Sequence, residues 1–136
     1  MAAFVARYAQ AFLEVVTAAK LPTAAIDGGF TDFLATWDGS PELREFFVNP
    51  AIAAVRKVEF LDKLNEKLGL WKELRNLLAV LISNDRIGAV GDVAAAYRRL
   101  ARAGFRTGEI FKVLKRFAKE PDLLDGFEPP EEPTDE

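Results

Sequence analysis

Leu77-Leu78-Ala79-Val80-Leu81-Ile82 sets six apolar residues in a row, with Arg75 and Asn76 before them and Ser83 and Asn84 after. At about 100° per residue such a run points in every direction around a helix, so over a turn and a half no side is left for water. Two arrangements fit this pattern. In one, the run is a central helix wrapped by its neighbours. In the other, one side faces the core and the opposite side lines a groove for a partner helix, an apolar strip flanked by polar residues. Both make this segment the hub of a helical fold.

Outward from the hub, helical spacing dominates and no convincing period-2 strand occurs. A first helix is expected over 4–20, where Phe4, Tyr8, Phe12 and Val15 share one face and Leu21-Pro22 ends the pattern. A second is expected over 23–38, with Ile26, Phe30, Phe33, Leu34 and Trp37 as its stripe and the Gly28-Gly29 pair weakening its first half. Ser40-Pro41-Glu42 reads as a helix start: serine caps, proline suits the first helical position, and glutamate meets the positive end of the dipole. That short third helix stops at Asn49-Pro50. The fourth covers 53–68, with Val58, Leu61, Leu64 and Leu68 as its stripe and Gly69 where a C-terminal cap belongs. The fifth covers 70–83 and closes at Asn84-Asp85. The sixth covers 87–103 despite Gly88 and Gly91 near its start.

Gly104 and Thr107-Gly108 mark a break, after which Ile110, Val113, Leu114 and Phe117 suggest one more amphipathic helix up to 119. Beyond it Pro121, Pro129, Pro130 and Pro133 alternate with acids, a composition that buries too little surface to offset chain entropy. The expected fold class is all-α, a six-helix bundle with an additional short C-terminal amphipathic helix and a disordered acidic tail. The corresponding segments are 1–104, 105–119 and 120–136.

Composition removes most chemistry. The 136 residues contain no cysteine and no histidine, which excludes thiolate chemistry and the commonest general base and metal ligand together. The two serines, Ser40 and Ser83, stand at helix ends, and Gly28-Gly29 lacks the Gly-Lys-Ser/Thr of a phosphate loop. Glu59, Asp62 and Glu66 share a helical face but alternate with Lys57, Lys63 and Lys67, the pattern of exposed ion pairs. The chain is therefore not expected to be an enzyme or to carry a cofactor. The apolar run at 77–82 falls far short of the roughly 20 residues a membrane-spanning helix needs. The N-terminus has neither the basic region nor the long apolar stretch of a secretory signal, so a cytoplasmic location is expected.

Net charge is −3, but eight of the 21 acids lie in 120–136, where there is no Lys or Arg. The body over 1–119 thus carries +5. Arg98, Arg99, Arg102, Arg106, Lys112, Lys115, Arg116 and Lys119 concentrate it against Glu109 alone. Such a stretch suits an acidic partner, anionic lipid or nucleic acid, and equally a solvated face partly neutralised by the acidic tail. A small nucleic-acid-binding bundle using 98–119 is thus the alternative function, although that stretch is expected to have no exposed aromatic series on which bases would stack.

The first helix has a wider apolar surface than one contact needs. Val5, Ala9 and Val16 flank its stripe, and Ala9 and Ala11 are either plain helix formers or small residues that let another helix come close. Arg7-Tyr8-Ala9-Gln10-Ala11-Phe12 resembles the opening motif of the δ subunit of F-type ATP synthases, called in mitochondria the oligomycin-sensitivity-conferring protein. The segment from Ser40-Pro41-Glu42-Leu43 to Phe46-Phe47-Val48-Asn49-Pro50 is similar to that family's next motif, and Lys57 and Leu61 follow in step. Asn76-Leu77-Leu78 with Leu81-Ile82-Ser83-Asn84-Asp85-Arg86-Ile87 resembles its signature, and Tyr97 and Leu100 match the end of its sixth helix.

The resemblance implies a six-helix head on the catalytic hexamer, a non-catalytic stator subunit that links it to the peripheral stalk during proton-driven ATP synthesis. In that family the first and fifth helices receive the N-terminal helix of an α subunit. Carried over by position, Tyr8, Ala11, Phe12, Asn76, Leu77, Val80, Leu81 and Asn84 would line or edge the groove. Arg86 would stabilise the following turn. The implied location is peripheral, on the cytoplasmic face of a bacterial inner membrane, touching membrane only through the complex and binding no nucleic acid. Family members continue into a smaller, strand-rich second domain that contacts the b subunits of the peripheral stalk. Nothing after about Arg102 resembles it.

Overall fold

The computed structural model describes residues 2–103. The helix expected up to 119 and the acidic tail over 120–136 lie outside the described residues. Among those described there are six α-helices and no strand: α1 (Ala3–Ala18), α2 (Thr23–Gly39), α3 (Pro41–Val48), α4 (Ala54–Leu68), α5 (Lys72–Ser83) and α6 (Val90–Arg102), with a 3-10 turn at Ile87–Ala89.

Local chemistry sets the helix ends. The Ser40 side chain accepts from the Leu43 N–H at 3.2 Å, with Pro41 in the first turn of α3. Gly69 ends α4 in the left-handed conformation (φ 66°) and donates its N–H to the Asn65 carbonyl at 2.8 Å. Two further ends reverse through a left-handed residue that is not glycine. After α1, Lys20 (φ 59°) lets Leu21 N–H reach the Val16 carbonyl at 3.0 Å. After α5, Asp85 (φ 58°) lets Arg86 N–H reach the Leu81 carbonyl at 2.7 Å. Both are Schellman closures. The first stops α1 at Ala18, two residues short of the expected end, because the closing bonds form before Pro22 acts.

The sixth helix also starts later than its pattern implies. Residues 87–89 wind as a 3-10 turn containing Gly88, and the α-helix proper begins at Val90. In contrast, α2 runs unbroken through Gly28-Gly29 from Thr23. Tertiary packing overrides the glycine penalty there.

The core is one contiguous cluster. Phe12 of α1, Phe30 of α2 and Tyr97 of α6 meet at its centre, with ring centroids 5.4 to 5.8 Å apart. A second aromatic group joins Phe33, Trp37, Phe46, Phe47 and Phe60 across α2, α3 and α4. α1 packs chiefly on α6, and α4 on α5. Arg75 of α5 holds Asp62 of α4 through two hydrogen bonds at 2.8 and 2.9 Å, which keep the Asp62 carboxyl below its usual range. The central helix of the apolar run is indeed wrapped: of residues 77–82 only Ala79 is left partly open.

Gly29 shows why α2 tolerates its glycines. A Cβ there would sit 2.7 Å from Cδ2 of Leu74, while one at Gly28 would meet nothing within 4 Å. The two neighbours therefore respond with opposite signs to the same change. Gly28→Ala gains about 0.5–1 kcal/mol of helix propensity. Gly29→Ala forces Leu74 to move, an overpacking cost of about 1–3 kcal/mol that outweighs that gain. Urea denaturation of both variants checks the pair.

Candidate functional site

The eight residues of the expected groove fall into two sets. Phe12, Leu77 and Leu81 are fully buried and belong to the core, so they support the seam between α1 and α5 from beneath. Tyr8, Ala11, Asn76 and Val80 are also buried but by narrower margins in places, with Asn76 and Val80 each 8% exposed. Asn84 is exposed. Of the eight, Asn84 alone is thus open at the surface.

The two helices are tied together at one end. Asn84 Nδ2 donates to the Tyr8 hydroxyl oxygen at 2.8 Å across 76 residues of chain. Arg86 lies over the ring of Phe4 at 4.5 Å and over that of Tyr8 at 5.7 Å, while Phe4 and Tyr8 pack edge to face at 6.1 Å. Arg86 thus does stabilise the turn after α5, as expected, and it does so by clamping that turn onto the first turns of α1. Phe4 was visible in the first-helix stripe but not as a member of this set. Its contact with Arg86 depends on the Schellman reversal at Asp85, which no spacing reveals.

Helical geometry extends the seam from this clamp. Tyr8, Ala11 and Val15 follow at spacings of three and four on one flank of α1, and Tyr8 meets the end of α5 through Asn84. On α5, Lys72, Asn76, Ala79 and Ser83 form the outward row, with Val80 beside it. Ala79 is more open than Val80. It is the residue that position-by-position reasoning missed, and its signal was only that it is the smallest of the six apolar residues in the run.

Glu14, one turn beyond Ala11, adds an electrostatic feature. Its Oε1 is buried with no hydrogen-bond partner, and this desolvation raises the carboxyl pKa above its usual value. No cluster of His, Cys, Asp or Glu able to hold a metal occurs among the described residues. No helix among them is long and apolar enough to cross a membrane.

The surface singled out on this all-helical bundle is a packed seam of alanine, valine and amide side chains. Comparison with known sequences gives the class of protein. The ATP synthase delta (OSCP) subunit family matches residues 5–111, and the chain belongs to that family, whose members are structural, non-catalytic subunits. It is similar to the ATP synthase subunit delta of Acidobacterium capsulatum, at 45% identity over 98 residues covering 72% of this chain and 55% of that protein. The same-named protein of Koribacter versatilis is 28% identical over 127 residues, covering 92% of this chain and 71% of that one. That of Solidesulfovibrio magneticus is 35% identical over 95 residues, covering 69% and 52%. The chain thus spans about half the length of the first and third of these relatives. No solved structure matches it.

Two outcomes are expected. In a double-mutant cycle of Tyr8→Phe and Asn84→Ala, denaturant unfolding gives a coupling of about 0.5–1.5 kcal/mol for the bond between them. Glu14→Gln raises stability at neutral pH, because the raised carboxyl pKa means that ionised Glu14 disfavours the folded state. That advantage shrinks as pH falls through the raised value, and it is gone once the unfolded carboxyl, near its ordinary 4.5, is protonated as well. Thermal melts of both proteins from pH 7 downward measure it.

Proposed function

We propose that this chain is a non-catalytic stator subunit of a rotary ATP synthase, and that its α1–α5 seam receives the amphipathic N-terminal helix of an α subunit. Family membership supports the first half of this reading. The second half is supported by one observation: the Tyr8–Asn84 bond joins α1 to α5, and on α5 the residues Asn76, Ala79 and Val80 keep a little exposed surface. Small side chains let an incoming helix approach its backbone closely, and an apolar strip rimmed by Lys72, Ser83 and Asn84 suits an amphipathic one.

In this reading Tyr8, Phe12, Leu77 and Leu81 act as backing, and Ala11, Asn76, Val80 and Asn84 as contact residues. The subunit links the catalytic head to the peripheral stalk and reaches the cytoplasmic face of the bacterial inner membrane only through the complex. Contact with the b subunits is the part of this reading that rests on the family resemblance alone. Segment 1–104 is the functional unit.

The test is binding of a labelled synthetic peptide with the sequence of the α subunit's N-terminal helix, followed by fluorescence anisotropy. Binding is expected to tolerate salt and to weaken at least about tenfold, or 1.4 kcal/mol, in Val80→Glu and Ala79→Glu. Ala79→Glu is the safer variant, because this position is partly open and the fold accepts a longer side chain there. Ala11→Glu should act in the same direction where circular dichroism shows it folded. Affinity for a DNA duplex that collapses with salt and ignores these substitutions is the result that favours the nucleic-acid alternative.

A further inference from the structure

The segment 109–119 plays no part in the function proposed above. Ile110, Val113, Leu114 and Phe117 fall there at helical spacing, so its sequence predicts an amphipathic helix whose apolar side needs a surface to cover it. The described residues show where the chain leaves the fold on its way to that segment. Arg86, shortly before α6, lies over the rings of Phe4 and Tyr8, and further along Tyr97 packs on Phe12. α6 therefore runs beside α1 in the same direction. Arg102 is as far beyond Tyr97 as Thr17 is beyond Phe12, so α6 closes near the end of α1. That is the end of the α1–α5 seam away from the Tyr8–Asn84 bond.

Length and direction then agree. From Ala103 to Glu109 the chain reaches about 20 Å when extended, more than the width of one helix. Gly104 and the Thr107-Gly108 pair give it residues that turn easily. A segment entering at this end runs against α1, toward the Tyr8–Asn84 bond. In that direction Val15, Ala11 and Tyr8 succeed one another at spacings of four and three, and Ile110, Leu114 and Phe117 repeat those spacings. Both rows are about 10.5 Å long as helices. Val15 and Ala79 keep exposed surface, and Ala11 and Tyr8 lie just beneath it.

Charge agrees as well. Glu14 stands beside Val15 and Asp85 follows Asn84, and neither carboxylate has an ion-pair partner among the described residues. The segment carries Lys112, Lys115, Arg116 and Lys119. In the antiparallel register Lys112 falls near Glu14, and Lys119 falls near Asp85. Each such pair is weak alone, but the tether holds the segment at a high effective concentration.

We propose that segment 109–119 docks on the α1–α5 seam of its own chain, antiparallel to α1, and so covers the surface that a partner helix takes. This rests on the seam being a helix-receiving surface, as proposed above. A partner then binds by displacing the segment, and a docked fraction of about nine-tenths weakens its apparent affinity about tenfold.

The chain contains no cysteine, so Lys119→Cys gives a single attachment point for a nitroxide on the full chain. With no partner present, paramagnetic broadening is expected to be strongest at the Asn84 and Asp85 amides and weak at Gly28 and Asp32 of α2. Adding Ala79→Glu, at a partly open position, is expected to abolish it. Broadening that is absent, that is even across the chain, that centres on α2, or that survives Ala79→Glu overturns the proposal. The labelled α-subunit peptide tests the consequence. A chain carrying Leu114→Glu and Phe117→Glu should bind it about tenfold more tightly than the unaltered chain. Equal binding by the two also overturns the proposal. Binding by neither, with broadening at Asn84 and Asp85, sinks the α-subunit reading and leaves the docked segment standing, so the two failures are told apart.

Discussion

Three aromatic rings from positions 12, 30 and 97 hold the chain closed: Phe12, Phe30 and Tyr97 bring α1, α2 and α6 into one packed unit although α6 is the last helix described. Each ring contributes about 1.5–3 kcal/mol by leaving water, and the mutual edge and tilt contacts add to that. The trio also fixes what the rest of the surface can be. With α1 drawn onto α6, the opposite flank of α1 meets α5 across a shallower contact, and this asymmetry is where the proposed partner seam lies. Tyr97 has a second consequence. Its ring serves the core as a phenylalanine would, but its hydroxyl is buried there with no hydrogen-bond partner.

Most of the fold was legible in the sequence. The six helices stand within a few residues of their expected limits, because apolar periodicity is a direct image of which face is buried. Ser40-Pro41 and Gly69 announced their caps by residue type alone. Lys20 adopts left-handed backbone without being glycine, so the reversal that ends α1 early carried no compositional mark, whereas α5 ends at Ser83 as expected. Gly28 and Gly29 look identical in sequence, yet only the second lies against another helix, and that distinction exists only in three dimensions.

The candidate site was legible as a neighbourhood and not as a surface. Spacing placed Tyr8, Ala11 and Phe12 on one helix and Asn76, Leu77, Val80, Leu81 and Asn84 on another, and the Tyr8–Asn84 bond brings the two groups together. Periodicity cannot rank burial among residues that are all apolar. Phe12 and Leu81 were therefore indistinguishable from Val80, and Ala79 went unnoticed although it is the more open position.

The proposed stator role requires load to be transmitted without yielding, and this bears on how the seam is built. A deep open groove would expose several large apolar side chains in the free subunit and would need them reordered when a partner arrived. Here the large residues Phe12, Leu77 and Leu81 are already committed to the core, and the Tyr8 ring is held by Phe4, Arg86 and Asn84 together. Only small side chains remain for a partner to cover, and these have little rotamer freedom to lose. A helix on the proposed seam would then supply the large apolar residues itself. Tightness in such an interface comes from a receiving surface that is rigid beforehand, and rigidity of that surface traces back through α1 to the aromatic trio beneath it.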